Sequence, residues 1–358
     1  MNRGKLKTIL TRLALVYNAA LQAAGERYSP TLYENINTNR LYFTKTVKGK
    51  LSKISKSSFE RRQYHSSSND NLLGHYLAGL IEGDGSIIVP KTIRNQKGKL
   101  LYPVVKITFV DKDAPLAMKI KESLNGGTLV YPKDSRYLNL LFQDLNSVQK
   151  MAVLLNGKMR TPKIEALGRL IDWLNARLDE KSKIVKLGLD SSSLGNNPWL
   201  TGFIEADGNF YCSFDLNLSI AEVVKNYMRI SQKQLYKITS DIPLENNSNF
   251  QIMEKMREFL GVKTVNEIKR TRDNFVELSY EVRTTKKTSC NLLINYLSVY
   301  PLFSSKHPDF LDWREFHRIR LSREYRTLEG TSKLIYLKNS MNTKRTQFNW
   351  DSLSSFYC

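Results

Sequence analysis

Two acidic residues, Asp84 and Asp207, each follow a short apolar segment and each precede a glycine. The two segments are copies of one phrase, since residues 77–86 read LAGLIEGDGS and residues 200–209 read LTGFIEADGN. Carboxylates bind hard divalent cations, and such cations activate water for hydrolysis. The repeat therefore predicts that the two acids act together in metal-dependent chemistry.

Each copy has the spacing of a helix that can pack closely against another helix. Small residues stand four apart, Gly79 and Gly83 in the first copy and Gly202 and Ala206 in the second. Residues at this spacing share one helix face, and their size lets two backbones approach closely. Helices packed through these faces would bring the two acids side by side at helix C-termini, where carboxylates repel each other and the helix dipole. A divalent cation resolves that repulsion.

The composition points to a polyanionic partner and to a metal bound by oxygen. The chain has 358 residues, enough for two domains, and a formal net charge of +21. Such an excess of positive charge favours nucleic acid over a membrane partner, since the sequence contains no run of eighteen apolar residues. Three cysteines and four histidines are too few and too scattered for a zinc site or a disulfide framework. Mg²⁺ or a similarly hard ion is therefore the expected metal.

The segments between the acids predict an α+β protein of two pseudo-symmetric halves, each an αββαββα unit. The alternation of apolar and polar residues predicts strands at 86–91, 102–110, 128–131, 137–142, 209–215, 227–233, 265–270 and 275–283. Helices are predicted at 113–124, 145–155, 162–177, 249–260, 286–299 and 308–321, in addition to the two that end in the acids. Two such halves, joined through the repeated helices, would form a saddle of antiparallel sheets with helices on one face.

The predicted domain organisation follows shifts in composition along the chain. A basic leader, 1–70, contains no acid in its first 25 residues and is interpreted as a mitochondrial targeting peptide, an appended leader or a partly disordered tail. The remaining predicted segments are the first half 71–178, a polar linker 179–197, the second half 198–323 and a basic C-terminal extension 324–358, which is expected to pack or bind peripherally.

The repeated phrase resembles the LAGLIDADG motif of homing endonucleases and intron maturases, in the single-chain form with two motifs, and the resemblance extends from about Leu72 to Arg320. It implies a monomeric endonuclease that recognises a long duplex DNA site, cuts it with Mg²⁺ or Mn²⁺ and leaves short 3′ overhangs. It also implies that Asp84 and Asp207 bind the metal and that the backbone carbonyls of Gly83 and Ala206 add ligands.

The same resemblance implies a basic residue at the start of a late helix in each half. Lys163 and Lys306 match it, within the segments Thr161-Pro162-Lys163 and Ser304-Ser305-Lys306. A lysine there would stabilise the charge that develops on the phosphate. A polar residue that orders water corresponds to Gln232 in the second half and, by this interpretation, to Asp111 in the first.

The polar faces of the strands are expected to form a basic groove for duplex DNA. Contacts from lysine and arginine to phosphates would supply affinity, and contacts to base edges would set the sequence preference. The candidate DNA-binding residues are Lys91, Arg94, Lys106, Tyr137, Tyr211, Arg229, Lys233, Lys269 and Arg283.

Two other functions use the same scaffold. A maturase would bind group I intron RNA and promote its splicing, with or without cleavage of DNA, and a transcriptional regulator would bind DNA alone. Retention of an acid in both motifs favours the nuclease, because a protein that only binds does not need two repelling carboxylates. The resemblance and the acid-free beginning of the chain predict a mitochondrial location.

Overall fold

The computed structural model describes residues 68–237, 243–272 and 275–357. The predicted leader lies outside these residues except for its last three, which belong to the first helix. The described residues all fall within one compact unit that spans Tyr64–Cys358. The architecture is therefore that of the two repeated halves and the C-terminal extension.

The first half alternates helices with pairs of strands, as the sequence predicts. Its elements are helix α1 (Ser68–Asp84), strands β1 (Gly85–Ile88) and β2 (Val104–Val110), helix α2 (Ala114–Leu124), strands β3 (Thr128–Val130) and β4 (Tyr137–Phe142), and helices α3 (Leu145–Leu155) and α4 (Ile164–Asn175).

The second half repeats that order, with one additional helical turn. Its elements are helix α5 (Trp199–Asp207), strands β5 (Gly208–Asn217) and β6 (Ile220–Lys233), the turn α6 (Leu244–Asn247), helix α7 (Phe250–Phe259), strands β7 (Asn266–Arg272) and β8 (Phe275–Arg283), and helices α8 (Lys287–Val299) and α9 (Lys306–Ser322). Helix α10 (Leu328–Ser340) follows in the C-terminal extension.

The two four-stranded sheets have the same topology, with strand orders β1-β2-β4-β3 and β5-β6-β8-β7 and antiparallel pairing throughout. The predicted α+β class with two pseudo-symmetric halves is confirmed. Alternation explains the strands, because Val105, Ile107 and Phe109 are buried while the intervening residues of β2 are more exposed. The same rule fails at the outer end of β8, where Val276 and Leu278 are 50% and 47% exposed.

Strand β6 begins seven residues before the predicted start at Tyr227, because a tight hairpin connects it to β5. Leu218 and Ser219 form the turn with φ values of 45° and 69°. Two consecutive positive φ values are typical of the two-residue hairpin turn that matches strand twist. The turn lacks the usual asparagine-glycine pair, so the sequence pattern did not predict it.

The motif helices, α1 and α5, cross at the centre of the molecule with their backbones in direct contact. A methyl group built on Gly79 would lie 2.0 Å from the carbonyl oxygen of Trp199, and one on Gly202 would lie 2.0 Å from that of Tyr76. Both distances are far below van der Waals contact, so only glycine fits at either position. The crossing is therefore fixed by the small residues of the repeat.

The C-terminal extension contributes to the core instead of packing peripherally. Helix α10 packs against α9, and Leu334 and Leu337 are buried. Near the end of the chain, Phe356 is 4% exposed, and its ring lies 5.6 Å from that of Tyr76 on the first motif helix and 5.0 Å from that of Phe303. These aromatic contacts tie the extension to both halves.

Candidate active site at the ends of the motif helices

Asp84 and Asp207 end the two motif helices, and the crossing brings these ends together. A methyl group built on Gly83 would lie 2.2 Å from Cβ of Ala206 and 2.7 Å from Oδ2 of Asp207. Asp207 therefore lies against the backbone of the residue before Asp84. Burial, followed by the negative charge of Asp84, raises the pKa of Asp207 to about 6. Burial also raises the pKa of Asp84, against the effect of two lysines.

Lys163 lies beneath the end of the first motif helix. Its Nζ donates to the carbonyl oxygens of Ile81 at 2.8 Å, Glu82 at 2.8 Å, Gly83 at 3.4 Å and Gly85 at 2.9 Å. The last carbonyls of a helix have no partner within the helix, so the ammonium group satisfies them and opposes the negative end of the dipole.

Lys306 occupies the same position in the second half. Its Nζ donates to the carbonyl oxygens of Ile204 at 3.2 Å, Glu205 at 2.6 Å and Ala206 at 2.8 Å. Burial lowers the pKa of Lys306 and that of Lys163, and the nearby carboxylates oppose the decrease in both. Each lysine is thus held between a helix terminus and the pair of acids.

Two buried glutamates position the segments that carry these lysines. Glu82 accepts hydrogen bonds from the backbone N–H of Arg160 at 2.8 Å and of Thr161 at 2.5 Å, and from the indole N–H of Trp199 at 2.6 Å. Glu205 accepts the backbone N–H groups of Phe303 and Ser304 in the equivalent way. Burial raises the pKa of Glu205 to about 7, although hydrogen bonds from the hydroxyl of Ser304 and the N–H of Phe303 oppose the increase.

The repeat alone indicates only a packing or supporting role for Glu82 and Glu205. Their position two residues before the acid in both copies of the repeat was the available signal. It did not indicate that each glutamate fixes the backbone two residues before a lysine, because that contact spans 79 residues in the first half and 99 in the second.

Gln232 lies beside one acid, but its predicted counterpart does not lie beside the other. The amide of Gln232 donates to Oδ2 of Asp207. Gly85 pairs with Ile107 in the first sheet as Gly208 pairs with Ile230 in the second, so the equivalent of Gln232 is Phe109. The assignment of Asp111 is therefore wrong: Asp111 is exposed and accepts the N–H of the next residue at 2.7 Å.

Most of the predicted DNA-binding residues share the open face of the sheets. Strand register places Lys106 and Tyr137 on that face in the first half, and Tyr211, Arg229, Lys233 and Arg283 in the second. Lys91 and Arg94 are exposed in the segment that connects β1 with β2. Lys269 does not lie on the predicted open face. It pairs with Leu278 and so lies on the helix-covered side of the sheet, whereas its neighbour Arg270 lies on the open face.

Two arginines of the open face are held by a buried carboxylate. Glu281 is 2% exposed, and its Oε1 lies 2.5 Å from a terminal nitrogen of Arg283. Its Oε2 lies 3.8 Å from Nε of Arg229. The guanidinium of Arg283 also lies over the ring of Tyr227, 4.5 Å from its centroid. The charge of these arginines is therefore partly neutralised within the protein.

The oxygen atoms at the helix ends suit a hard divalent cation. The two carboxylates raise the local negative charge, and the carbonyl oxygens of Gly83 and Ala206 are close by. Both carbonyls accept from a lysine, but a carbonyl oxygen has a second lone pair for another partner. Within the described ranges, no three acids, cysteines or histidines gather as a metal cluster, so these few oxygens are the candidate ligands.

Comparison with known proteins identifies the family. The model of the LAGLIDADG endonuclease family matches residues 77–174 and 200–317. The intron-encoded DNA endonuclease aI3 of Saccharomyces cerevisiae is 31% identical over 319 residues, which cover 83% of this chain and 76% of that protein. An uncharacterised cox1 intron-2 protein of Schizosaccharomyces pombe is 29% identical over 74% of this chain and 72% of its own length.

A solved structure shows the same fold. The LAGLIDADG homing endonuclease I-SmaMI, bound to cleaved DNA, superposes with a TM-score of 0.55 over 76% of this chain and 98% of its own, at 19% identity. The intron-encoded RNA maturase bI4 of Saccharomyces cerevisiae matches 44% of this chain and 23% of its own length, at 26% identity. The chain belongs to the LAGLIDADG endonuclease family, which confirms the resemblance seen in the repeat.

The described part of the chain contains no helix with the length and apolarity needed to cross a membrane.

Proposed function

We propose that this protein is a site-specific homing endonuclease that cuts both strands of a long duplex DNA target and leaves short 3′ overhangs. The observation that carries the proposal is the pairing of Asp84 with Asp207 at the crossing of two helices, with a half-buried lysine under each helix end. Two acids and two lysines related by internal symmetry match a substrate whose two strands run in opposite directions.

The acids and the carbonyls of Gly83 and Ala206 would hold Mg²⁺ or Mn²⁺, which supplies an activated water and stabilises the leaving 3′ oxygen. Lys163 and Lys306 keep a positive charge fixed beside the acids, where it would stabilise the charge that develops on the phosphate. Gln232 orients the carboxylate of Asp207 through its amide. The lysines are anchored by helix carbonyls, so little reorganisation is needed when DNA binds.

The open faces of the two sheets would supply the DNA-binding groove. The net charge of +21 favours strong attraction to phosphates, and affinity should therefore fall steeply as salt rises. Tyr137 and Tyr211 offer edges that could contact bases, while the basic residues of the open face track the backbone.

One chain carries both acids, so we propose that the active form is a monomer. The relatives are intron-encoded, and the cox1 intron protein among them supports a mitochondrial origin. The partial match to a maturase favours the endonuclease over a splicing role, because it covers less of this chain than the match to aI3 does.

The test is a cleavage assay on plasmid DNA that carries the intron-free form of the host gene, with Mg²⁺ present. Wild-type protein should produce a double-strand break, and Asp84→Asn and Asp207→Asn should each abolish it while duplex binding is retained. Asp179→Asn is the matched control, since Asp179 is exposed in the segment between the halves.

Each result of this assay bears on a separate part of the proposal. Cleavage that persists in both motif variants would refute the assignment of the acids. If the wild type binds this DNA without cutting and instead accelerates splicing of the intron RNA, the maturase function replaces the nuclease.

A further inference from the structure

Asp113 is a buried carboxylate that does not cap its own helix. It is the N-cap residue of α2, and its side chain is almost completely buried. Aspartate at this position ordinarily accepts an N–H group from the first turn of the helix that follows. Asp113 makes no such bond, and Pro115 removes one of the donors in that turn. Its carboxylate is therefore available for another partner.

That partner belongs to the other half of the molecule. Oδ1 of Asp113 accepts the backbone N–H of Ser305 at 2.7 Å, across 192 residues of sequence. Ser305 directly precedes Lys306, the first residue of α9. Since Glu205 holds the backbone of Ser304, the segment before Lys306 is fixed from both halves at once.

The first half holds its lysine differently, for a reason visible in the sequence. The residue before Lys163 is Pro162, which has no N–H group to donate. Asn249, the N-cap residue of α7 and the counterpart of Asp113, instead donates its side-chain amide to the carbonyl of Lys233 at 2.9 Å.

Helix α4, which follows Lys163, is joined to the second half by an ion pair nearer the surface. Nζ of Lys237 lies 2.8 Å from Oε2 of Glu165, and both side chains are about one-third exposed. A pair of this kind is weak and sensitive to salt, whereas the buried hydrogen bond of Asp113 is not.

The surroundings of the two acids, Asp84 and Asp207, also differ between the halves. Asp207 receives the amide of Gln232, while Asp84 has Phe109 at the equivalent place. The pocket of about 260 Å³ beside Asp84 is lined by Asp113 and Lys306, whereas the pocket of about 470 Å³ beside Asp207 is lined by Lys163 and Gln232. Asp113 thus belongs to only one of the two half-sites.

We infer that Asp113 is a positioning residue that holds Lys306 from the opposite half, and that the two half-sites cut the two DNA strands at different rates. The inference rests on the proposed nuclease function. Without the bond to Ser305, the start of α9 loses its hydrogen bond to the first half, and Lys306 is less rigidly placed beside the acids. The half-site that contains Lys163 keeps its own tethers.

The test measures the cleavage of each strand separately, on a target labelled on either strand, together with the nicked form of a supercoiled plasmid. In Asp113→Ala, one strand should be cut on the order of tenfold more slowly relative to the other than in the wild type, because misplacing a catalytic group is costly. The nicked plasmid should accumulate. Asp113→Asn should remain near the wild type, since its side-chain oxygen still accepts the N–H of Ser305.

Asp144→Ala is the matched control: it removes the N-cap hydrogen bond of α3 at an exposed position that lines neither pocket, and it should leave the ratio of the two strand rates unchanged. Thermal melting and duplex binding without metal establish that each variant is folded. Equal slowing of both strands in Asp113→Ala would overturn the inference, and so would an Asp113→Asn variant as slow as Asp113→Ala. A wild type that cuts neither strand would refute the proposed function itself, and the inference with it.

Discussion

Gly79 and Trp199 lie so close that a methyl group on the glycine would be 2.0 Å from the carbonyl oxygen of Trp199. This contact joins α1 to α5, and Gly202 repeats it against Tyr76. The helix ends that follow carry Asp84 and Asp207, so the crossing sets how closely the two acids approach. A small residue in the interior of the protein thereby determines the geometry of the candidate metal site.

Gly79→Ala should destabilise the protein strongly. The added methyl group meets backbone atoms, which cannot rotate away as a side chain could, so the helices must separate. We expect a loss of about 3 kcal/mol or more in the free energy of unfolding, measured by urea titration. Gly168→Ala is the control, because Gly168 lies within α4 with no atom within 4 Å of an added Cβ, and alanine should stabilise that helix by about 0.5–1 kcal/mol. Equal midpoints for both variants would contradict the tight crossing.

Asp207→Asn should stabilise the metal-free protein at neutral pH. The pKa of Asp207 is raised from 3.8 to about 6, so the folded state binds the proton more tightly than the unfolded chain does. The stabilising contribution of Asp207 to the free energy of unfolding is therefore present at pH 4 and is lost as the pH rises through about 6. We expect the variant to melt above the wild type at pH 7, by about 2–4 °C for each kcal/mol recovered, and the difference to shrink towards pH 4.

Added Mg²⁺ should reverse the order of the melting temperatures, so that the wild type melts above Asp207→Asn at pH 7. A ligand that binds only the folded state raises the melting temperature, so the wild type should gain stability with metal while Asp207→Asn gains little. A variant that melts below the wild type without metal at pH 7 would show that burial and the charge of Asp84 do not raise the pKa of Asp207 in the folded protein.

The repeated phrase was sufficient to predict the packed motif helices, because helical spacing depends only on residues that are close in sequence. Helical spacing alone predicts that Gly79 and Gly202 lie on the packing faces of their helices. It also predicts that each of these helices ends in an acid. Strand alternation likewise predicted that Val105 and Ile107 face the core. These features depend only on neighbours in sequence, so they could be read without knowing which strands pair.

Features that depend on pairing could not be predicted. The resemblance predicts Asp111 as the counterpart of Gln232, whereas the register shows that Phe109 holds that position. Lys269 was placed in the groove, although its pairing with Leu278 turns it to the other face. The bond from Asp113 to Ser305 joins two halves through a helix start, and no periodicity in either segment indicates it.

Lys163→Met and Lys306→Met should each reduce cleavage on the order of 10²–10³-fold while leaving duplex binding nearly intact. Methionine keeps the length of the side chain but removes the charge beside the acids. It also leaves helix carbonyls without a donor, so a loss of about 1 kcal/mol in stability should accompany the change. Single-turnover assays at saturating protein separate the two effects. Lys255→Met, at an exposed position on α7, is the control. Equal activity in all three variants would show that Lys163 and Lys306 take no part in the reaction.

Glu281→Gln should increase the affinity for DNA without regard to sequence. The carboxylate of Glu281 is buried between Arg229 and Arg283 on the open face of the second sheet, so its charge competes with phosphate for both arginines. Glutamine still accepts a hydrogen bond from Arg283 but no longer neutralises it. Binding to an unrelated duplex should tighten, and the slope of log K against log salt should steepen by about 1–2 as phosphate contacts are added. Glu267→Gln is the control, because it removes an equal charge from β7 on the opposite face and should leave the slope unchanged. If Glu281→Gln has the same slope as Glu267→Gln, the two arginines lie outside the path of the DNA backbone.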